Sequence, residues 1–316
     1  MLGRETGSLR KADITPEVVT RLVASQFPDW ALLEVTRVEL DGWDNTTFRL
    51  GPSMSVRLPS HEAYVPQIEK EHRWLPVLAA QLPLPIPQPL AKGTPTDEFP
   101  RPWSIYGWHE GAPATVSAVD DLDRFAGSLA AFLTALYSCD TEGGPAAGPH
   151  SFGRGGPVSA LDAQMRETIP LLDGVVDTEA VTATWEAAVA AEGDAPPSVW
   201  VHGDVTGANL LVDQGRLAAV IDFGCSAVGD PACDLTVAWT FFSGSSRDRF
   251  VAGIGIDDAT WARARGWALW KALIELPGDL ERPGRAARAA TRFGWRCSPL
   301  ELVTDLVDQR SARSSA

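Results

Sequence analysis

Residues 198–235 read SVWVHGDVTGANLLVDQGRLAAVIDFGCSAVGDPACDL, and the rest of the chain is ordered around them. The apolar run Val199-Trp200-Val201 predicts a short buried strand that delivers His202-Gly203-Asp204 onto a loop. Five residues after Asp204 comes Asn209, then Leu210-Leu211 and the turn Asp213-Gln214-Gly215. A second strand, 217–221, ends at Asp222-Phe223-Gly224. Strand ends joined by a tight hairpin bring Asp204, Asn209 and Asp222 to one side of a sheet. That supplies one carboxylate for proton work and an Asn/Asp pair for a hard cation.

Phosphoryl transfer uses such a set: an Asp accepts a hydroxyl proton while oxygen ligands hold Mg²⁺ on nucleotide phosphates. Protein kinases carry the spacing as H-R-D-x-x-x-x-N followed by D-F-G; here the Arg is missing. The run from His202-Gly203-Asp204 to Asn209 instead resembles the aminoglycoside phosphotransferase family, kinase-like enzymes that phosphorylate hydroxyl groups on small molecules. The resemblance continues through Asp222-Phe223-Gly224 and Gly229-Asp230-Pro231-Ala232-Cys233-Asp234-Leu235. It implies that Asp204 is the catalytic base and that Asn209 and Asp222 bind magnesium. A lone His-Gly-Asp or Asp-Phe-Gly merely shapes a turn; three elements in order and spacing carry the reading. Asp204 is expected on an exposed loop, His202 in a structural role, and Asp234 in hydrogen bonds that hold the loop.

The 316-residue chain is 45% hydrophobic and 22% charged, a globular composition long enough for two sizeable lobes. No stretch approaches the roughly 18 consecutive apolar residues of a membrane span, and the start MLGRETGSLRKAD has no apolar leader core. A cytoplasmic protein without a membrane partner is therefore expected. Cysteines 139, 225, 233 and 297 lack metal-type spacing and are expected to be reduced and mostly buried. A net charge of −14 argues against a nucleic-acid partner. It suits solubility and mildly favours a cationic, amine-bearing substrate.

Ahead of the motif, Thr15 and Pro16 open a helix in which Val18, Val19, Leu22 and Val23 share a face. Residues 33–40, 46–50 and 54–58 read as an antiparallel meander. In a kinase-like fold its first turn, 41–45, lies over the nucleotide phosphates, which makes Gly42 a candidate contact; a plain hairpin turn fits the same residues. Arg57 occupies the place of the kinase strand Lys that faces the α and β phosphates, with an exposed strand Arg as the alternative. The helix 67–80 offers Glu71, whose neighbours Leu75 and Leu78 mark an inward stripe, as the partner of Arg57, and Glu69 as the next choice.

The proline-rich stretch 82–89 reads as an extended connector. It leads to a strand at 102–108 that ends near Gly107. The resemblance makes this the hinge between lobes, with backbone at Ile105 and Gly107 holding the adenine edge; an edge strand is the alternative. Helices are predicted at 120–138, 160–172, 178–192, 234–242, 259–276 and 298–307. The Gly/Pro-rich stretch 141–157 reads as a loop in which Arg154 is a solvated cation. Trp239, Trp261, Trp267, Trp270 and Trp295 read as core, and the tail 309–316 as frayed.

Together these readings predict an α+β, two-lobed protein-kinase-like fold. Residues 1–106 form a small antiparallel-sheet, nucleotide-binding lobe, and 107–316 a larger, mostly helical catalytic and substrate-binding lobe, with the nucleotide phosphates between them. The resemblance spans residues 33–276. It implies an O-phosphotransferase that uses Mg²⁺ and ATP, with GTP as the other donor, on a hydroxyl of a small molecule such as an aminoglycoside or other antibiotic. A metabolite kinase of the choline, homoserine or sugar type and an inactive nucleotide-binding protein are the alternatives. Oligomeric state and acceptor stay open.

Overall fold

Residues 11–38, 42, 44–194, 197–281 and 293–313 are described by the structure, a computed structural model. The chain forms two compact units, Met1–Ala80 with Ile86–His109, and Gln81–Pro85 with Glu110–Ala316.

In the first unit, Thr15 caps helix α1 (Pro16–Gln26) by accepting from the Val18 amide at 3.5 Å. Val19, Leu22 and Val23 turn inward, because an amphipathic helix gains most by covering the apolar face of a sheet. That sheet runs β1 (Val35–Arg37), β2 (Asn45–Leu50), β3 (Met54–Pro59), β4 (Pro89–Gly93) and β5 (Trp103–Gly107), in the order β1-β2-β3-β5-β4. All pairings are antiparallel. Phe48, Leu50, Val56, Leu58, Trp103 and Ile105 form the core beneath α1. The last part of the first meander strand and most of the following turn, residues 39–41 and 43, lie outside the described residues. The edge-strand alternative for β5 fails: β4 takes the edge, and its Pro89 has no amide to donate to a further strand. Helix α2 (Val65–Ala79) starts two residues before the predicted 67, with Pro66 in its first turn, where a missing amide costs least.

In the second unit, Asp121 caps α3 (Leu122–Tyr137), which buries Phe125, Leu129, Phe132, Leu133 and Leu136. The predicted helix 160–172 is split into α4 (Asp162–Thr168) and a 3-10 turn, Ile169–Leu172, at Pro170. Helix α5 (Thr178–Ala190) follows its Asp177 cap. The predicted helix 234–242 is mostly a 3-10 turn, Pro231–Thr236, before the short α6 (Val237–Thr240). Helix α7 (Gly244–Ile254) escapes the periodicity test because it buries only Ser246 and Phe250. Helix α8 (Asp258–Glu281) and the C-terminal helix Pro299–Arg313 outrun their predicted limits, and residues 314–316 lie outside the described ones. The five tryptophans expected in the core are buried. None of the four cysteines forms a disulfide; Cys139 and Cys233 are buried, Cys225 and Cys297 half-buried. No described helix is long and apolar enough to cross a membrane.

Candidate active site

The motif is built on two small sheets. Strand β6 (Ala112–Pro113) pairs with β8 (Leu210–Asp213), which pairs with β9 (Arg216–Val220); β7 (Val199–Val201) pairs antiparallel with β10 (Ala227–Gly229). Gln214 and Gly215, at φ 47° and 72°, close β8 onto β9 with the positive backbone angles that a two-residue hairpin requires. The two predicted strands therefore belong to different sheets. Strand β7 is partnered by β10, whose three residues carry too little alternation to be seen in the sequence.

The three motif residues still converge. The Ile221 amide donates to the Asn209 carbonyl at 2.9 Å, joining the two hairpin ends. Asn209 Nδ2 donates to the Asp204 carbonyl at 2.9 Å and to Asp204 Oδ2 at 3.2 Å. Below them the loop is anchored. Buried Asp234 accepts from the His202 and Gly203 amides at 2.9 and 2.7 Å. Burial pushes its carboxyl up, partly offset by those amides. His202 Nδ1 accepts from the Asp204 amide at 3.2 Å, so Nε2 must carry the hydrogen that points 2.9 Å to the Ile221 carbonyl. Both ring nitrogens are used structurally, as expected. Gly203 has φ 83°, and a Cβ there would lie 2.5 Å from the Cys225 carbonyl oxygen, so only glycine fits.

Asp204 departs from the exposed loop predicted for it. Its side chain is 35% exposed and ion-paired: Lys271 Nζ lies 3.1 Å from Oδ1, and Lys271 is only 8% exposed. Burial pushes the Asp204 carboxyl up, but the Lys271 ammonium and the Arg154 guanidinium outweigh it and hold the pKa below the usual aspartate range. Arg154 is likewise not a solvated loop cation. It is half-buried, with its guanidinium carbon 4.5 Å from the centre of the Trp270 ring. The sequence held a signal for Lys271, a single cation in the apolar run Trp267–Leu273, since a lysine is buried only when paired.

Asn209 and Asp222 offer oxygen donors, the ligand type of a hard divalent cation. With Nδ2 turned to Asp204, Asn209 Oδ1 is left to face elsewhere. Asp222 holds the left-handed conformation, φ 64°, in which a non-glycine residue is uncommon. Among the described residues no group of three or more His, Cys, Asp or Glu could hold a metal. Two oxygen ligands completed by water and phosphate are the pattern magnesium uses on a nucleotide, so the donor set fits.

In the first unit, Arg57 Nη1 lies 3.5 Å from Glu71 Oε1, with both side chains largely covered. The Tyr106 hydroxyl donates to Glu71 Oε2, and the Arg57 guanidinium lies over the Tyr106 ring at 5.5 Å. Burial and the neighbouring carboxylate push the Tyr106 phenol well up, keeping it a donor. Glu69, the other choice, is turned away to Lys92 at 2.8 Å. Gly42 is exposed, and its carbonyl accepts from Lys11 Nζ. Gln67 Nε2 donates to Asp44 at 3.1 Å, tying the end of this turn to α2. Ile105 is fully buried between β3 and β4, and the Gly107 amide already donates to Gln88 O at 2.8 Å. The Gly107 amide is thus committed to the backbone just ahead of β4.

Residues 34–267 match the family model described as the phosphotransferase enzyme family. Over 77 residues the chain is 38% identical to an aminoglycoside 3'-phosphotransferase of Escherichia coli, and over 66 residues 38% identical to one of Salmonella typhimurium. These segments are 23% and 20% of this chain and 28% and 24% of the relatives, so it matches under a third of their length. Among solved structures, an aminoglycoside 2'-phosphotransferase in complex with GDP superposes with TM-score 0.70 at 19% identity, over 94% of this chain and all of that one. A macrolide 2'-phosphotransferase from Brachybacterium faecium gives 0.59 at 21%, over 89% and 98%. The α+β kinase-like fold expected from the sequence is the fold they share. With the family model covering residues 34–267, and so reaching into both compact units, the chain belongs to the phosphotransferase enzyme family.

Proposed function

We propose that this protein transfers the γ-phosphoryl group of ATP, with GTP as the other donor, to a hydroxyl of a small molecule. The observation that carries this is the convergence of Asp204 and Asn209 at one hairpin mouth, with Asp222 one residue beyond the Ile221–Asn209 link. The acceptor oxygen bonds to the γ-phosphorus, the bond to the β-phosphate oxygen breaks, and the hydroxyl proton passes to Asp204. Lys271 and Asn209 hold one carboxylate oxygen each, so the base is aimed before the acceptor arrives. A base held below the usual aspartate range takes the proton late, as charge builds on the acceptor oxygen, which suits a loose transition state. Asn209 Oδ1 and Asp222 would hold Mg²⁺, which supplies charge neutralisation on the phosphates. In the first unit, Glu71 fixes the Arg57 guanidinium for phosphate oxygens.

The acceptor belongs to the hydroxyl-bearing antibiotics, with the −14 net charge favouring a cationic one. A cytoplasmic setting, which supplies ATP, belongs to the same reading. The purified protein with Mg·ATP should release ADP faster in the presence of one member of a panel of aminoglycosides, macrolides, choline, homoserine and sugars, and mass spectrometry should find that acceptor phosphorylated. Mg·ATP binding without any turnover would favour an inactive nucleotide-binding protein instead.

The Arg57–Glu71 pair gives a separate expected result. Arg57→Ala should weaken nucleotide binding, Glu71→Ala should do so less, and the double variant should lose less than the sum. Glu71 Oε1 is buried and accepts no hydrogen bond from any described residue, so removing the guanidinium also leaves a buried carboxylate without its counter-charge. A double-mutant cycle on nucleotide affinity decides it: additive losses mean that the two residues act separately.

A further inference from the structure

Among the described residues of the second unit, Arg154 is the half-buried arginine that the fold itself does not use. The other buried or half-buried arginines there find acceptors: Arg263 bonds Asp230 at 2.6 Å, Arg247 bonds Asp305 at 2.6 Å, and Arg296 bonds both Asp305 and the Trp239 carbonyl. The Arg154 guanidinium donates no hydrogen bond to any described residue, and its Nε is buried without a partner. Yet it is held in place. Its guanidinium carbon lies 4.5 Å from the Trp270 ring centre and 5.7 Å from that of Trp267. Its Cβ abuts Gly203, the residue before Asp204: a Cβ built on Gly203 would come within 3.0 Å of it. The next residue after Trp270 is Lys271, the ion-pair partner of Asp204. One turn of α8 therefore stations Arg154 and grips the base.

A guanidinium held over aromatic rings by its charge still has N–H groups to spend on hydrogen bonds. An edge with two parallel donors matches a pair of phosphate oxygens. We propose that Arg154 is a catalytic residue that binds the oxygens of the phosphoryl group in transfer. This rests on the proposed function, since it needs a phosphoryl group beside Asp204. The same charge already acts on the Asp204 carboxyl, which places the guanidinium within electrostatic reach of the reacting centre.

The test compares the intact protein with Arg154→Met and Arg154→Lys. Calorimetry measures Mg·ADP affinity and the added affinity for orthovanadate, which mimics the phosphoryl group in flight. Acceptor-free ATP hydrolysis and transfer to an acceptor give kcat. Arg154→Met should lower both kcat values and vanadate affinity by about 10²-fold, the worth of one donor on developing charge. Mg·ADP affinity and Tm should stay close to wild type, and Arg154→Lys should recover part of the loss. Vanadate binding and hydrolysis unchanged in Arg154→Met overturn the inference, and if only the acceptor KM rises, the anion belongs to the acceptor. Parallel losses of Tm, Mg·ADP affinity and kcat would make Arg154 a packing residue. A wild-type protein without nucleotide turnover overturns the proposed function and this inference together, whereas wild-type turnover matched by Arg154→Met overturns the inference alone.

Discussion

Asp204→Asn should lower turnover by about 10²- to 10⁴-fold, the usual worth of a positioned general base. It should also lower stability, which the picture of an exposed loop residue would not anticipate. Lys271 is 8% exposed and loses the one anionic contact it has at hydrogen-bonding distance among the described residues, keeping the weaker amide oxygen. Leaving a buried charge so poorly paired costs about 1–3 kcal/mol. Because 35% of the Asp204 side chain meets solvent, the low end applies. The sign of the pH effect follows from the direction of the shift. The folded pKa is depressed, so the stabilisation is complete above the unfolded value of about 3.9 and is lost as pH falls through the folded one. The acid limb of kcat/KM that belongs to Asp204 should therefore lie below the ordinary aspartate range. Lys271→Met removes the largest cation and leaves burial unopposed by it, so that limb should move to higher pH. Near-wild-type turnover in Asp204→Asn would remove it from the mechanism, and an unmoved acid limb in Lys271→Met would make the ion pair purely structural.

The motif was legible because its information is local. Asp213-Gln214-Gly215 closes a hairpin by backbone angles alone, and a hairpin fixes the distance between the residues at its ends. The meander and α1 were legible for a similar reason, since the alternation of Phe48, Leu50, Val56 and Leu58 and the Thr15-Pro16 start are written within a few residues. What stayed hidden depends on partners far away in the chain. Lys271 lies 67 residues from Asp204, and no periodicity states that the one cation of the apolar run Trp267–Leu273 ends on that carboxylate. Arg154, between glycines, has the composition of a solvated loop until Trp270 is brought beneath it. Strand β7 could not be assigned its partner, because a three-residue strand has neither the length nor the alternation to specify a register. The Asp204–Asn209 pairing was thus readable from sequence, while Lys271 showed only as a cation in an apolar run with no stated partner, and Arg154 did not show at all.

Asn209 and Asp222 should both govern the magnesium dependence of nucleotide binding, in distinguishable ways. Loss of a ligand should raise the Mg²⁺ needed for half-maximal turnover by about 10²-fold, at least the 10- to 100-fold typical of outer contacts. Asp222→Ala confounds two effects, because φ 64° strains any residue with a Cβ and alanine has no polar side chain to ease it. Asp222→Asn separates them. Asparagine tolerates the left-handed region, so Tm should change little while the negative charge on the cation is lost. Asn209→Ala removes more than an oxygen ligand. Its Nδ2 bridges the Asp204 carbonyl and carboxylate, so the base loses its second anchor and saturating Mg²⁺ should rescue turnover only in part. In Asn209→Asp an oxygen ligand remains but the donor is gone, and a second carboxylate faces Asp204 at about the 3.2 Å of the present hydrogen bond. Two carboxylates that close raise one pKa strongly, so this variant should bind Mg·ADP yet lose turnover most at low pH. Calorimetric titration of ADP binding against Mg²⁺, run beside turnover, distinguishes the ligand role from the anchoring role. If neither Asp222→Asn nor Asn209→Ala shifts the Mg²⁺ dependence of binding, these residues do not hold the metal.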